Sequence, residues 1–188
     1  MEEVIGRSGV SAVLNLSGLS YFNKPALLVD QGMLIPYHDL SDTQDTLEQL
    51  YGLRGGRGLA LKSGRAFFTF ALRQYGQELG LLDQEFRLQP STVKIPAGLK
   101  RLAHFFSQTG DSAIHVEEDS HQFRWIAENC PLCWGRRSEV PICHMQVGML
   151  QEYFYWASSG KNYAIIETEC SAMGAKACVF TIDKTALD

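Results

Sequence analysis

Long apolar runs are missing from this chain. No stretch of its 188 residues approaches the roughly 18 apolar residues that a membrane helix needs. The first residues, Met-Glu-Glu-Val-Ile-Gly, lack the basic start of a secretory signal, so a cytoplasmic protein with no transmembrane segment is expected. Clustered positive charge is scarce as well. Lys and Arg number 17 against 21 Asp and Glu, a net charge of -4, and a nucleic-acid footprint needs basic residues gathered on one face. The one dense group, Arg54, Arg57, Lys62 and Arg65, is diluted by glycines and reads as the solvated start of a helix. There is no repeat and no Pro/Ser linker, which favours a single domain over residues 1–188, with 1–50 as an N-terminal extension and 50–183 as the core. Hydrophobic residues at 45% and charged residues at 20% exclude a disordered chain. No G-x-G-x-x-G follows a strand. Arg54-Gly55-Gly56-Arg57-Gly58 lies between two helices and reads as a turn, so no nicotinamide or flavin signature is present.

What is there alternates between two periodicities. Residues 2–19 read as a glycine-interrupted helix and 25–40 as a loop. Ser41 with Asp45 reads as the cap of a short helix that Gly52 or Gly55 ends. Phe68, Leu72, Tyr75 and Leu79 step at helical spacing and predict a helix over 58–80. Another helix is expected to begin near Pro96 and to stop at Gly110. Ile114 and Val116 alternate with His115 and Glu117. After Glu118-Asp119-Ser120, Phe123 and Trp125 alternate with Gln122 and Arg124, which is a hairpin. Residues 142–157 carry apolar side chains on two helical faces and predict a buried helix. Gly148 inside it permits close approach of another backbone or a ligand. A second hairpin runs from Tyr163 through Glu167 and returns at Cys178, Phe180 and Ile182. The expected class is α+β, with helices packed on a small antiparallel sheet of two hairpins.

The five cysteines all lie in the last third, at 130, 133, 143, 170 and 178. In a chain expected to be cytoplasmic this argues for metal or thiol chemistry over a disulfide framework. Cys170 and Cys178 flank the last hairpin's turn and can face each other. Cys143 opens the buried helix. Glu167 lies three residues before Cys170, so strict alternation would place the two on opposite faces. The strand must therefore bulge or end near Thr168–Glu169 for both to bind one ion. Cys143, Glu167, Cys170 and Cys178 would form a closed, structural zinc site. Glu169 is the alternative carboxylate. Cys130-Pro-Leu-Cys133 is a rival half-site that could team with Cys143, His144 or the hairpin cysteines, or act as a redox pair. Cys143 and His144 are neighbours on a helix and do not face each other, so no catalytic thiolate–base pair is expected.

The segment Cys143-His-Met-Gln-Val-Gly148, followed by Glu167-Thr-Glu-Cys170 and then Gly174 and Cys178, resembles the V4R (4-vinyl reductase) domain. The helix containing Gly64-Arg65 and Gly76 is similar to that family's central helix. The resemblance implies a fold shared with TRAPP subunits and, more distantly, haem-based NO sensors. It also implies zinc on Cys143, Glu167, Cys170 and Cys178, and frequent homodimers. The resemblance further implies relatives that sense phenols or serve (bacterio)chlorophyll synthesis as a 4-vinyl reductase or a porphyrin carrier. The expected function is a zinc-containing protein that binds a hydrophobic, aromatic or tetrapyrrole small molecule. A reductase component and a dimeric scaffold are the alternatives. Phe68, Phe123, Trp125, Met145, Gly148, Met149 and Trp156 are the candidate pocket residues, with the Met-rich helix as the preferred wall.

Overall fold

The computed structural model describes residues 1–23, 36–110 and 112–187. Helix α1 spans Glu2–Leu16 and α2 spans Tyr37–Tyr75. Helix α3 is the short Gln84–Leu88, α4 is Ser91–Thr109 and α5 is His144–Ala157. Four strands, β1 (Ile114–Glu118), β2 (Gln122–Ala127), β3 (Asn162–Glu169) and β4 (Cys178–Leu187), form one antiparallel sheet of order β1-β2-β4-β3. The two hairpins of the sequence thus join through β2 and β4, as in an α+β fold.

Helix α2 corrects the sequence reading most. It is a broken rod: Gly52, at φ 72° and ψ 164°, interrupts it, a conformation that glycine adopts without steric penalty. Gly55 lies within the second limb and ends nothing. The first limb begins at Tyr37, so Ser41 is an interior, buried residue and not a cap. The expected loop at 25–40 falls mostly outside the described residues, and 37–40 are already helical. The second limb ends at Tyr75, leaving Leu79 beyond it and Tyr75 exposed against Phe105, 5.4 Å away between ring centroids. Helix α4 starts one turn before Pro96, at Ser91 after Pro90.

The core lies between α4, α5 and the sheet. Trp125, Tyr153, Phe154, Phe180, Leu99, Leu102 and Ile182 are among its fully buried large side chains. Tyr153 resolves its buried hydroxyl by donating to the carbonyls of Ile95 (2.6 Å) and Lys94 (3.1 Å) on α4. Helices α2 and α5 cross at backbone contact. A Cβ on Gly64 would collide with the Met145 carbonyl, and one on Gly148 with the Leu61 carbonyl. Of the two neighbours that Gly148 admits, the structure supplies a backbone.

Candidate metal centre and adjoining cavity

Strand register builds the centre. Pairing of β2 with β4 sets Ala127 opposite Cys178. The loop leaving β2 therefore delivers Cys130 and Cys133 to the start of β4. That loop is anchored from outside. Gln44 of α2 donates to the Leu132 carbonyl (2.8 Å), Arg136 pairs with Glu48 (2.7 Å) and Asp45 (3.1 Å), and the Ser138 amide donates to the Ala172 carbonyl. Cys143 is the N-cap residue of α5. The β3–β4 register shifts between Glu167 and Glu169, the bulge that the spacing demanded. It turns both Glu167 and Cys170 inward, while Glu169 is exposed.

All five cysteines are buried and none is disulfide-bonded. The sulfurs of Cys130 and Cys143 lie 3.6 Å apart, Cys133 and Cys178 3.5 Å, and Cys143 and Cys178 3.8 Å. Cys170 is 4.0 Å from both Cys143 and Cys178. Thiolates about 2.3 Å from a tetrahedral zinc stand about 3.8 Å apart, so the spacing suits one shared ion. Two quartets have their donor atoms within 4.8 Å of one another: Cys143, Glu167, Cys170, Cys178, and Cys130, Cys133, Cys143, Cys178. His144 belongs to neither. It is half-buried, and burial, then Arg57 and Arg136, lowers its pKa to about 4.

The ligand set divides between groups that hold their protons and groups that give them up. Glu167 accepts from the Cys143 amide through Oε2 (2.8 Å), while its buried Oε1 has no hydrogen-bond partner. Such an orphaned acceptor is costly, and a cation would satisfy it. Burial, then the charge of Cys170, pushes Glu167 up to about 8. A hydrogen bond to Cys130 is the largest cause raising Cys133, to about 12, and Cys143 is raised as well, again chiefly through Cys130. Cys170 is lowered to about 6 by the hydrogen bond from Cys133, and Cys178 to about 5 by that from Cys130. Some members donate and others accept, so a metal entering the cluster must displace several protons.

A cavity of about 700 Å³ adjoins the centre. Met145, Met149, Phe67, Phe106, Leu132 and Trp134 supply much of its apolar lining, and His38, Asn129 and Gln146 add polar groups. Cys130 belongs to both the cavity wall and the cysteine cluster. Of the pocket candidates named from sequence, Met145 and Met149 line it. Phe68, Phe123, Trp125, Gly148 and Trp156 do not. Phe68, Phe123 and Trp125 are buried in the core, where Phe123 packs on Phe154 (6.0 Å) and Phe68 on Tyr153 (5.7 Å). Trp156 stacks beside Phe86. The wall residues Tyr37, His38, Leu132 and Trp134 escaped sequence reading. Trp134, directly after the Cys130–Cys133 pair, carried the only local signal.

An α+β scaffold with a cysteine centre beside an apolar cavity is the class of protein that these observations define. Residues 123–184, a third of the chain, match the V4R domain family, so the resemblance drawn from the cysteine motif stands as a V4R domain in that segment. None of the curated proteins matches. Among solved structures, the phenol-responsive sensory domain of the transcription activator PoxR, determined with phenol, is similar at TM-score 0.58 and 16% identity, over 80% of this chain and 75% of that one. An H-NOX protein from S. oneidensis in the Fe(II)NO ligation state is similar at TM-score 0.63 and 12% identity, over 100% and 95%. An Fe(II) unliganded H-NOX protein from K. algicida reaches 0.60 at 13% identity, over 100% and 90%. These likenesses show the fold. No helix among the described residues is long and apolar enough to cross a membrane.

Proposed function

We propose that this chain binds a hydrophobic or aromatic small molecule in the cavity against α5, beside a zinc ion held by Cys143, Glu167, Cys170 and Cys178. The observation that carries this reading is the cavity itself. Its volume of about 700 Å³ lies in the usual range for small-molecule sites, roughly 300–1,000 Å³, and apolar walls with a few convergent polar groups are the usual lining. The V4R match over 123–184 and the likeness to a sensory domain solved with phenol support it. Zinc suits the donor set, because three thiolates and a carboxylate form a closed tetrahedral site that is structural in type. In this reading the ion fixes the start of α5 to the β3–β4 turn, and so sets one wall of the cavity. A tetrapyrrole is the larger of the two ligand classes in this reading.

Native mass spectrometry with phenol and with protoporphyrin as probes tests the reading. At least one probe is expected to bind the full chain at one per protein. Met145→Trp, which fills the cavity from α5, is expected to weaken that probe at least tenfold, with the thermal midpoint showing that the variant folds. Absence of binding by both probes, or equal binding to a folded Met145→Trp variant, overturns the reading.

A further inference from the structure

The two quartets share an edge. Cys143 and Cys178 belong to both, Glu167 and Cys170 complete one, and Cys130 and Cys133 complete the other. The geometry points to a second metal ion, so that the centre is a thiolate-bridged pair of ions: Cys143 and Cys178 bridge them, and each ion adds two terminal ligands. The inference rests on the single-ion centre proposed above and extends it.

Three observations carry it. The first is donor arithmetic. Two four-coordinate ions sharing two ligands need six donors, and the five thiols and Glu167 are six. A single ion on the first quartet leaves the buried Cys130 and Cys133 outside its coordination. The second is spacing. The shared edge measures 3.8 Å, and the outer sulfurs approach it at 3.6 Å (Cys130 to Cys143) and 3.5 Å (Cys133 to Cys178). These are close to the tetrahedral edge of about 3.8 Å that zinc–thiolate bonds impose. Cys130 approaches one end of the shared edge and Cys133 the other. The third is the chain around the outer pair. After Cys133, Gly135 takes φ 74° and the Arg136 amide returns to the Cys133 carbonyl at 3.1 Å, a tight turn that closes the loop directly after two buried sulfurs. A second, smaller cavity of about 180 Å³ touches Cys130 and Cys133, with Arg136 and Lys176 in its wall.

The test is metal stoichiometry of the full chain reconstituted with ¹¹³Cd²⁺, by elemental analysis and ¹¹³Cd NMR. Two cadmium ions per chain are expected, with two resonances coupled to each other through the bridging sulfurs. The spectrum of the unaltered chain needs no variant. The double substitution Cys130→Ser/Cys133→Ser is expected to halve the content, keeping one ion. One ion per chain in the wild type, retained in that variant, overturns the paired centre and leaves the single-ion reading standing. One ion in the wild type that the same variant loses also overturns the pair, and moves the single ion to the outer quartet. No bound metal overturns both.

Discussion

Cys178→Ser is expected to strip the centre of metal and to cost more than about 4 kcal/mol of folding free energy, the range that loss of a structural metal reaches. Cys143 and Cys178 each have three sulfur neighbours at the centre, and Cys178 alone of the two also takes a backbone amide on its sulfur. Cys178 lies 3.5 Å from Cys133, 3.8 Å from Cys143 and 4.0 Å from Cys170, and it accepts from the Ser171 amide at 3.3 Å. It also begins β4, the strand that pairs with both β2 and β3. Serine offers a harder and shorter ligand that zinc disfavours. The release of metal frees the start of α5 and the β3–β4 turn together. Urea unfolding and elemental analysis on the same samples check this. A variant that keeps its metal and its unfolding midpoint contradicts the proposed centre.

The second large effect belongs to the helix crossing. Gly148→Ala is expected to destabilise the fold by about 2–4 kcal/mol, although alanine is favoured over glycine in a helix by about 1 kcal/mol. The added methyl meets the Leu61 carbonyl and not a side chain that could rotate away. The helices must part, which opens the core at Met149, Leu150 and Phe68. Gly64→Ala acts on the same crossing through the Met145 carbonyl. The double variant is therefore expected to cost much less than the sum of the two, because the second methyl enters a gap already opened by the first. Thermal midpoints of the two single variants and the double decide the matter. A midpoint raised by Gly148→Ala would mean that α2 and α5 do not approach as closely as described.

Much of this was legible in the amino-acid sequence, and the division follows the range of the interactions. Alternation of Ile114 with Val116 and of Phe123 with Trp125 marked the first hairpin, because side chains two apart share a face. The spacing of Glu167 and Cys170 required a bulge, and the register of β3 shifts there. The two apolar faces of α5 announced its burial. What escaped depends on contacts distant in sequence. Pairing of Ala127 with Cys178 brings Cys130 and Cys133 to the hairpin cysteines, and no local pattern encodes which strand β2 pairs with. The continuity of α2 escaped because Gly52 punctuates the sequence as a helix end, while the chain resumes the helix after one left-handed residue. The cavity wall is drawn from both limbs of α2, from α4, from the Asn129–Trp134 stretch and from α5. Its residues share no periodicity that could distinguish them from core, and aromatics such as Phe123 and Trp125 are simply packed.

Cys130 links the two halves of the proposed function, as it lines the cavity and belongs to the cysteine cluster. The most direct measurement is therefore titration of the probe that binds, phenol or protoporphyrin, into metal-loaded protein and into the same protein stripped by a chelator at neutral pH. Affinity is expected to fall at least tenfold on stripping and to return when zinc is restored, because the metal holds the start of α5, and with it the Met145 and Met149 wall of the cavity, in place. Equal affinity with and without metal, in protein that stays folded, would contradict the account.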